Sequence, residues 1–247
     1  MYIIKEFFDF IYEWSKNEPF YDILNQEKKL AIFLFGSPAS GKSTFLNKYL
    51  AQKIKNFKIF NPDELNIEIS KHFKINQLAD LNYISPEKWL NLKKFLKHKF
   101  MIDISNFYEK QLKYGKNNNY NIATDKLLNS WISSYIKTGQ NFIYDTSGND
   151  FNKIKTYVEK AKENGYKIIF IKIRKELYST IIRNMKRDRS VDLIYQLNSY
   201  LKTQSNNKLF KELEPDLFYI VFNNDNKYKF YKISNNKLLK KKGHRWV

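Results

Sequence analysis

Residues 30–50, LAIFLFGSPASGKSTFLNKYL, limit the fold of this chain more than any other stretch. Six apolar residues in a row, 30–35, are too few for a stable helix and read as a strand buried on both faces. The run ends in Gly36, and Gly41 follows just before Lys42 and Ser43. The whole chain has only seven glycines in 247 residues, so two at this spacing carry information. Between a strand and a helix, the pattern G-x-x-x-x-G-K-S is a phosphate-binding loop. Its glycines let backbone N–H groups turn toward phosphate oxygens, and the helix start adds a favourable dipole. Gly36, Ser37, Pro38, Ala39, Ser40, Gly41, Lys42, Ser43 and Thr44 are the candidate loop. Lys42 is expected on the outer phosphates, and the Ser43 hydroxyl on Mg²⁺. A glycine-rich connector beside a lysine is the bland alternative.

The rest of the chain alternates strands and helices. Residues 57–60 (FKIF), 141–145 (NFIYD), 166–173 (YKIIFIKI) and 217–222 (LFYIVF) read as four more short strands. Helices are expected between them, closed by Gly139 and Gly165. The class is therefore α/β: a five-stranded, mainly parallel sheet with helices on both faces and a helical insertion. Residues 1–28 hold an amphipathic helix, with Ile4, Phe7, Phe8, Ile11 and Trp14 on one stripe. Residues 29–224 form the main domain, with 67–139 as a largely helical section that includes a polar loop at 113–121. Residues 225–247 read as a strand (227–233) and a solvated basic tail.

Three further stretches sit where strands of such a sheet end, the edge at which ligands bind. FNPDELN places Asp63 just past the second strand. It fits a base that takes a proton from an acceptor hydroxyl, and it equally fits an N-cap of the helix that follows. NFIYDTSGN places Asp145 at the end of the third strand. It fits a Mg²⁺-holding carboxylate, or an aspartate that starts a turn. IIRNMKRDRSVD carries Arg183 and Arg187 on one helical face, with Arg189 just beyond. Of 44 basic residues only five are arginines, and three fall in this segment. Planar guanidinium groups suit the charge of a phosphoryl group in transfer. A solvated helix face is the alternative.

GSPASGKST, FNPDELN, NFIYDTSGN and RNMKRDRSV together resemble the P-loop kinases of the zeta-toxin and polynucleotide-kinase group, over roughly residues 29–224. The resemblance implies a P-loop kinase fold and transfer of phosphate from ATP to a hydroxyl. It implies Lys42 and Ser43 on phosphates and Mg²⁺, Asp63 as base, and Asp145 on the metal or acceptor. It implies Arg183, Arg187 and Arg189 as a lid over residues 183–190. Ala39 stands where a glycine is usual. Asn66 stands where polynucleotide kinases of this type often carry an arginine for the acceptor's phosphate. The acceptor implied first is a nucleotide sugar. The alternative is a 5′ hydroxyl of RNA or DNA, and a non-catalytic ATP- or nucleic-acid-binding module is a third reading. Lys71 and His72 are candidate acceptor contacts or a solvated face. A small helical antitoxin-like partner is also implied by the group.

Composition bears mainly on what is excluded. The chain has no cysteine, which rules out disulfides and thiolate metal sites. Its three histidines lie far apart in sequence. No run reaches the ~18–20 apolar residues of a membrane span, and the first residues lack a signal-peptide pattern, so a cytoplasmic location is expected. The net charge of +19 favours polyanions. Lysine, asparagine, isoleucine, phenylalanine and tyrosine are abundant together, however, so codon bias accounts for much of that charge.

Overall fold

All six side chains of β1 (Leu30–Phe35) are buried, as a strand covered on both faces requires. The computed structural model describes residues 29–50, 57–65, 94, 119–187, 190–224, 227–234, 237–242 and 245–246, with side chains of 119–127, 227 and 234 onward left aside. The amphipathic helix in 1–28, Asn66, Lys71, His72, most of 67–139 and Arg189 lie outside the described residues.

Along the chain, β1 is followed by α1 (Lys42–Phe45), β2 (Lys58–Phe60), α2 (Asn119–Thr138), β3 (Phe142–Thr146) and α3 (Phe151–Glu163). Then come β4 (Lys167–Arg174), α4 (Leu177–Met185), α5 (Leu193–Ser205), α6 (Asn207–Glu212) and β5 (Leu217–Asn224). The chain ends in β6 (Lys227–Ser234), β7 (Lys237–Lys242) and β8 (Arg245–Trp246). The sheet order is β2-β3-β1-β4-β5-β6-β7-β8. β1 pairs in parallel with β3 on one side and β4 on the other, β2 with β3, and β4 with β5. These five strands match the expected parallel sheet.

β6, β7 and β8 add antiparallel hairpins to its β5 edge. The segment read as a solvated tail is thus partly strand. Its lysine-rich composition hides the alternation that a strand normally displays. After the single turn of α1, Leu46–Leu50 continue as a π-helix.

The period-two pleat of β1 sends its side chains into two cores. Ala31, Phe33 and Phe35 face α2, α3 and α6 through Ile132, Ile154, Tyr157 and Phe210. Leu30, Ile32 and Leu34 face Phe45, Leu46, Tyr49 and Leu50. Phe35 sits in an aromatic cluster, with ring centroids 4.5 Å from Phe210, 5.6 Å from Phe170 and 6.0 Å from Phe218. Gly148, at φ 78°, packs beneath this cluster, since a Cβ there would stand 3.1 Å from the Phe35 Cβ.

On the same face Lys172 is fully buried. Its Nζ donates to the Thr203 carbonyl near the end of α5 and to Asn207 Oδ1 at the start of α6. Burial, aided by nearby Arg174, lowers its amine to about 7. Two N–H groups suffice for two acceptors, so the neutral amine is fully satisfied there.

Replacing Phe35 with alanine empties the centre of one core immediately before the phosphate loop. The expected loss is about 3–5 kcal/mol of stability, measured by chemical denaturation with the native chain as reference.

Candidate active site

The carboxyl ends of β1, β2 and β3 lie along one edge of the sheet. β1 and β3 are neighbours there, with Leu34 opposite Asp145 and Phe35 opposite Thr146. A cleft of about 430 Å³ opens at this edge. Lys42, Ser43, Asp63, Asp145 and Arg187 all line it. Motifs as far apart in sequence as Lys42 and Arg187 therefore meet around one space.

The phosphate loop is built by close backbone approach. A Cβ on Gly36 would stand 2.4 Å from the Ile173 carbonyl oxygen, so only glycine fits. Gly41 takes φ 98° and forms the N-cap of α1. Ala39, where a glycine is usual, is held at φ 60°, a conformation that strains a residue with a Cβ by roughly 1–2 kcal/mol. Lys42 Nζ donates to the Gly36 carbonyl at 2.9 Å, folded back on its own loop. Pro38, Ala39, Ser40, Gly41, Lys42 and Ser43 line the cleft. Ser37 is buried, while Thr44 is exposed and outside the lining residues.

Asp63 sits in a helical turn at residues 62–65. The N-cap of that turn is Asn61. Its carbonyl accepts from Leu65 N–H at 3.1 Å and its side-chain Oδ1 from Asp63 N–H at 2.9 Å. Pro62 occupies the first helical position, where its missing N–H does no harm. The capping role weighed for Asp63 thus belongs to Asn61, and Asp63 faces the cleft from the first turn. The other end of the Asn61 amide donates to Asp145 Oδ2 at 3.0 Å. One asparagine therefore ties both carboxylate-bearing segments together.

Asp145 is 3 % exposed, and its Oδ1 has no hydrogen-bond partner. Burial pushes its carboxyl up to about 6; Lys42 pulls the other way, and Asp63 and Glu64 add to the rise. A buried carboxylate with one unmatched oxygen, on the same cleft as Ser43, fits a hard cation that takes oxygen ligands. Ser40 Oγ, also in the cleft lining, is buried without a partner. Among the described residues no group of three or more His, Cys, Asp or Glu side chains gathers. The donor set therefore suits Mg²⁺ shared with phosphates, which commonly needs only one or two protein carboxylates.

The arginine segment approaches from above. Arg187 lines the cleft. Arg183 does not, yet its Nη1 lies 3.5 Å from where a Cβ on Gly41 would stand, so it reaches the loop from another side. Asn184, fully buried, shapes the segment: its Nδ2 donates to the Val191 carbonyl at 2.7 Å and its Oδ1 accepts from Val191 N–H at 2.9 Å. That pair closes the loop on which Arg187 rides. Behind it, Asp192 caps α5, accepting from Tyr195 N–H at 2.8 Å. Tyr195, Lys202 and Lys153 complete the far wall of the cleft.

Sequence reasoning missed Asn61 and Asn184. Asn61 had a usable signal, an asparagine before a proline at a helix start. Asn184 had none, because asparagine is common throughout the chain.

A family model described as Zeta toxin matches residues 104–236, more than half of the chain. The match takes in Asp145 and the arginine segment and begins after the phosphate loop and Asp63. None of the curated proteins compared with the chain matches it. Among solved structures, AvrRxo1-ORF1:AvrRxo1-ORF2 with sulphate ions aligns at 13% identity and TM-score 0.59, covering 97% of this chain and 69% of the other. AvrRxo1-ORF1:-ORF2 with ATP aligns at 13% identity and TM-score 0.57, covering 94% and 68%. The PezAT toxin-antitoxin system of Streptococcus pneumoniae aligns at 15% identity and TM-score 0.49, covering 85% and 74%. At 13% identity the likeness to the two AvrRxo1 structures is one of fold, that of the α/β sheet described above. No helix among the described residues is long and apolar enough to cross a membrane.

Because the folded Asp145 holds its proton up to about pH 6 and the unfolded one only to about 4, its ionisation destabilises the fold as pH rises between those values. The penalty is fully present above pH 6, on the order of 2–3 kcal/mol. Asp145→Asn keeps an acceptor for Asn61 and removes the charge. It is expected to raise the melting temperature of the nucleotide-free protein at pH 7.5, and to raise it much less at pH 4.5, where most of the penalty has gone.

Proposed function

This chain belongs to the zeta toxin family, and from that premise we propose that it is an ATP-dependent kinase moving the γ-phosphate of ATP onto a hydroxyl group. The observation that carries the reading is the meeting of Lys42, Asp63, Asp145 and Arg187 on one cleft. A phosphate cradle alone supports nucleotide binding. A cradle with a carboxylate on the acceptor side and a guanidinium opposite supports transfer.

Each residue has a part in that proposal. Lys42 leaves the Gly36 carbonyl and meets the outer phosphates. Ser43 and Asp145 would hold Mg²⁺, which would neutralise charge on the phosphates. Asp63 takes the proton of the attacking hydroxyl as its oxygen bonds to phosphorus and the bond to the ADP oxygen breaks. Arg187 meets the charge of the transferring group and excludes water, Arg183 supports the phosphate loop from its other side, and Arg189 is the further member of the lid that the resemblance implies. Binding and positioning do most of the work in such a reaction, because the phosphoryl group needs little covalent help.

The acceptor we favour is a nucleotide sugar, as the family resemblance implies. The wall of Tyr195, Lys153 and Lys202 supports an acceptor with a flat ring and an anionic group. The alternative, a 5′ hydroxyl of RNA or DNA, draws on the lysine-rich strands β6 and β7 and the +19 charge. A protein partner, implied by the same resemblance, has the two-component AvrRxo1 structures as its support. Incubation with γ-labelled ATP and either nucleotide sugars or 5′-hydroxyl oligonucleotides separates the acceptors. Label on the sugar supports the first reading and label on the oligonucleotide the second. Tight nucleotide binding with no labelled product from any hydroxyl acceptor would leave a binding module.

Two substitutions test the assignment of roles. Lys42→Ala is expected to abolish turnover and most triphosphate affinity, read by label transfer and calorimetry. Asp63→Asn is expected to retain ATP binding and lower transfer by about two to four orders of magnitude, the scale of general-base catalysis. Transfer at the parental rate by Asp63→Asn would remove the base from Asp63 and make Asp145 the next candidate.

A further inference from the structure

β5 ends in an asparagine pair that no phosphate-loop motif explains. The first, Asn223, is 2 % exposed. Its Nδ2 donates to the Ser40 carbonyl at 2.8 Å, joining positions 183 apart in sequence. Its own carbonyl accepts from the buried Lys175 Nζ at 3.3 Å. Ser40 and Gly41 line the cleft, while Asn223 is not among the lining residues and stands behind the loop. A Cβ on Gly41 would lie 2.3 Å from the Asn223 Nδ2, so the bare glycine is what admits the amide.

We propose that Asn223 is a positioning residue for triphosphate binding: by holding the Ser40 carbonyl from behind, it turns the Gly41 N–H into the phosphate cradle. The reason is the geometry of one peptide plane. In a trans peptide the carbonyl and the following N–H point to opposite sides. With the Ser40 carbonyl drawn back to Asn223, the Gly41 N–H of the same plane is directed away from Asn223, toward the cleft. Glycine tolerates many backbone angles, so a plane ending in Gly41 turns easily when nothing holds it. A turned plane would aim a carbonyl oxygen at the anion, where an N–H should be. Asn223 opposes that rotation. It couples the last parallel strand to the loop without touching nucleotide.

The inference rests on the phosphate-binding reading of residues 36–44, and the test separates the two. In the full chain, Asn223→Leu keeps the branched outline of the side chain, somewhat bulkier, and removes the donor. Asn223→Ser is smaller and polar, and serves if the leucine variant does not fold. The measurements are the calorimetric Kd for ATP with Mg²⁺, KM for ATP against kcat, and the melting temperature without nucleotide. The expected result is a rise of about tenfold in Kd and KM, the scale of one buried hydrogen bond, with kcat within about threefold. A merely structural role would lower the active fraction, and so kcat, at unchanged KM. A folded variant that binds ATP as the parent does overturns the proposal and leaves the kinase reading intact. A parent that binds ATP but labels no acceptor sinks the kinase reading, while the Kd series still decides the role of Asn223. A parent that binds no ATP overturns both.

Discussion

The parallel pairing of β1 with β3 is the interaction on which the rest depends. It sets the end of the phosphate loop strand beside the end of the Asp145 strand, in fixed register. The pairing is held from both faces, because β1 buries alternate residues in two separate cores. A strand anchored on both sides cannot slip by one residue without sending each face's side chains into the other core, where they do not fit the packing. The loop therefore leaves the sheet at a defined height, and Lys42 and Asp145 stay near enough to feel each other's charge. The next segments of chain are aimed by that same edge.

Asparagine amides then fix what the strands only bring near. Asn61 bridges the Asp63 turn and Asp145. Asn184 closes the loop carrying Arg187. Each uses its donor and its acceptor at once, so each has one orientation that satisfies both ends. An amide does this without adding charge near a site that must receive a polyanion. A carboxylate in the same place would repel the ligand and could not donate, and a hydroxyl is too short to span two separate segments in this way.

Much of this was legible in the chain itself. The run at 30–35, the glycines after it and the short strands read at 57–60, 141–145 and 166–173 announce a parallel sheet. Both period and punctuation agree there. Asp63 and Asp145 were legible as candidates because they close apolar strands. Their relation was not, since the insertion of β3 between β2 and β1 is a matter of crossover and not of local pattern. At the carboxyl end the strand at 227–233 was legible, while β7 was hidden for another reason. Lys237–Lys242 pair between β6 and β8, and their lysine-rich sequence shows no apolar alternation to reveal a period of two. Asn223 was invisible because its meaning lies in a partner far away along the chain.

Lys172 brings a consequence of a different kind. Its amine gives up its proton near pH 7 in the fold and near 10.5 in the open chain. Across that alkaline window the unfolded protein carries the extra proton, so unfolding becomes progressively harder as hydroxide increases. A chain crowded with ammonium groups relieves its mutual repulsion in the upper part of the same window. The protein should thus be sturdiest in mildly basic solution, with a single sequestered amine at the foot of α5 setting where the climb begins.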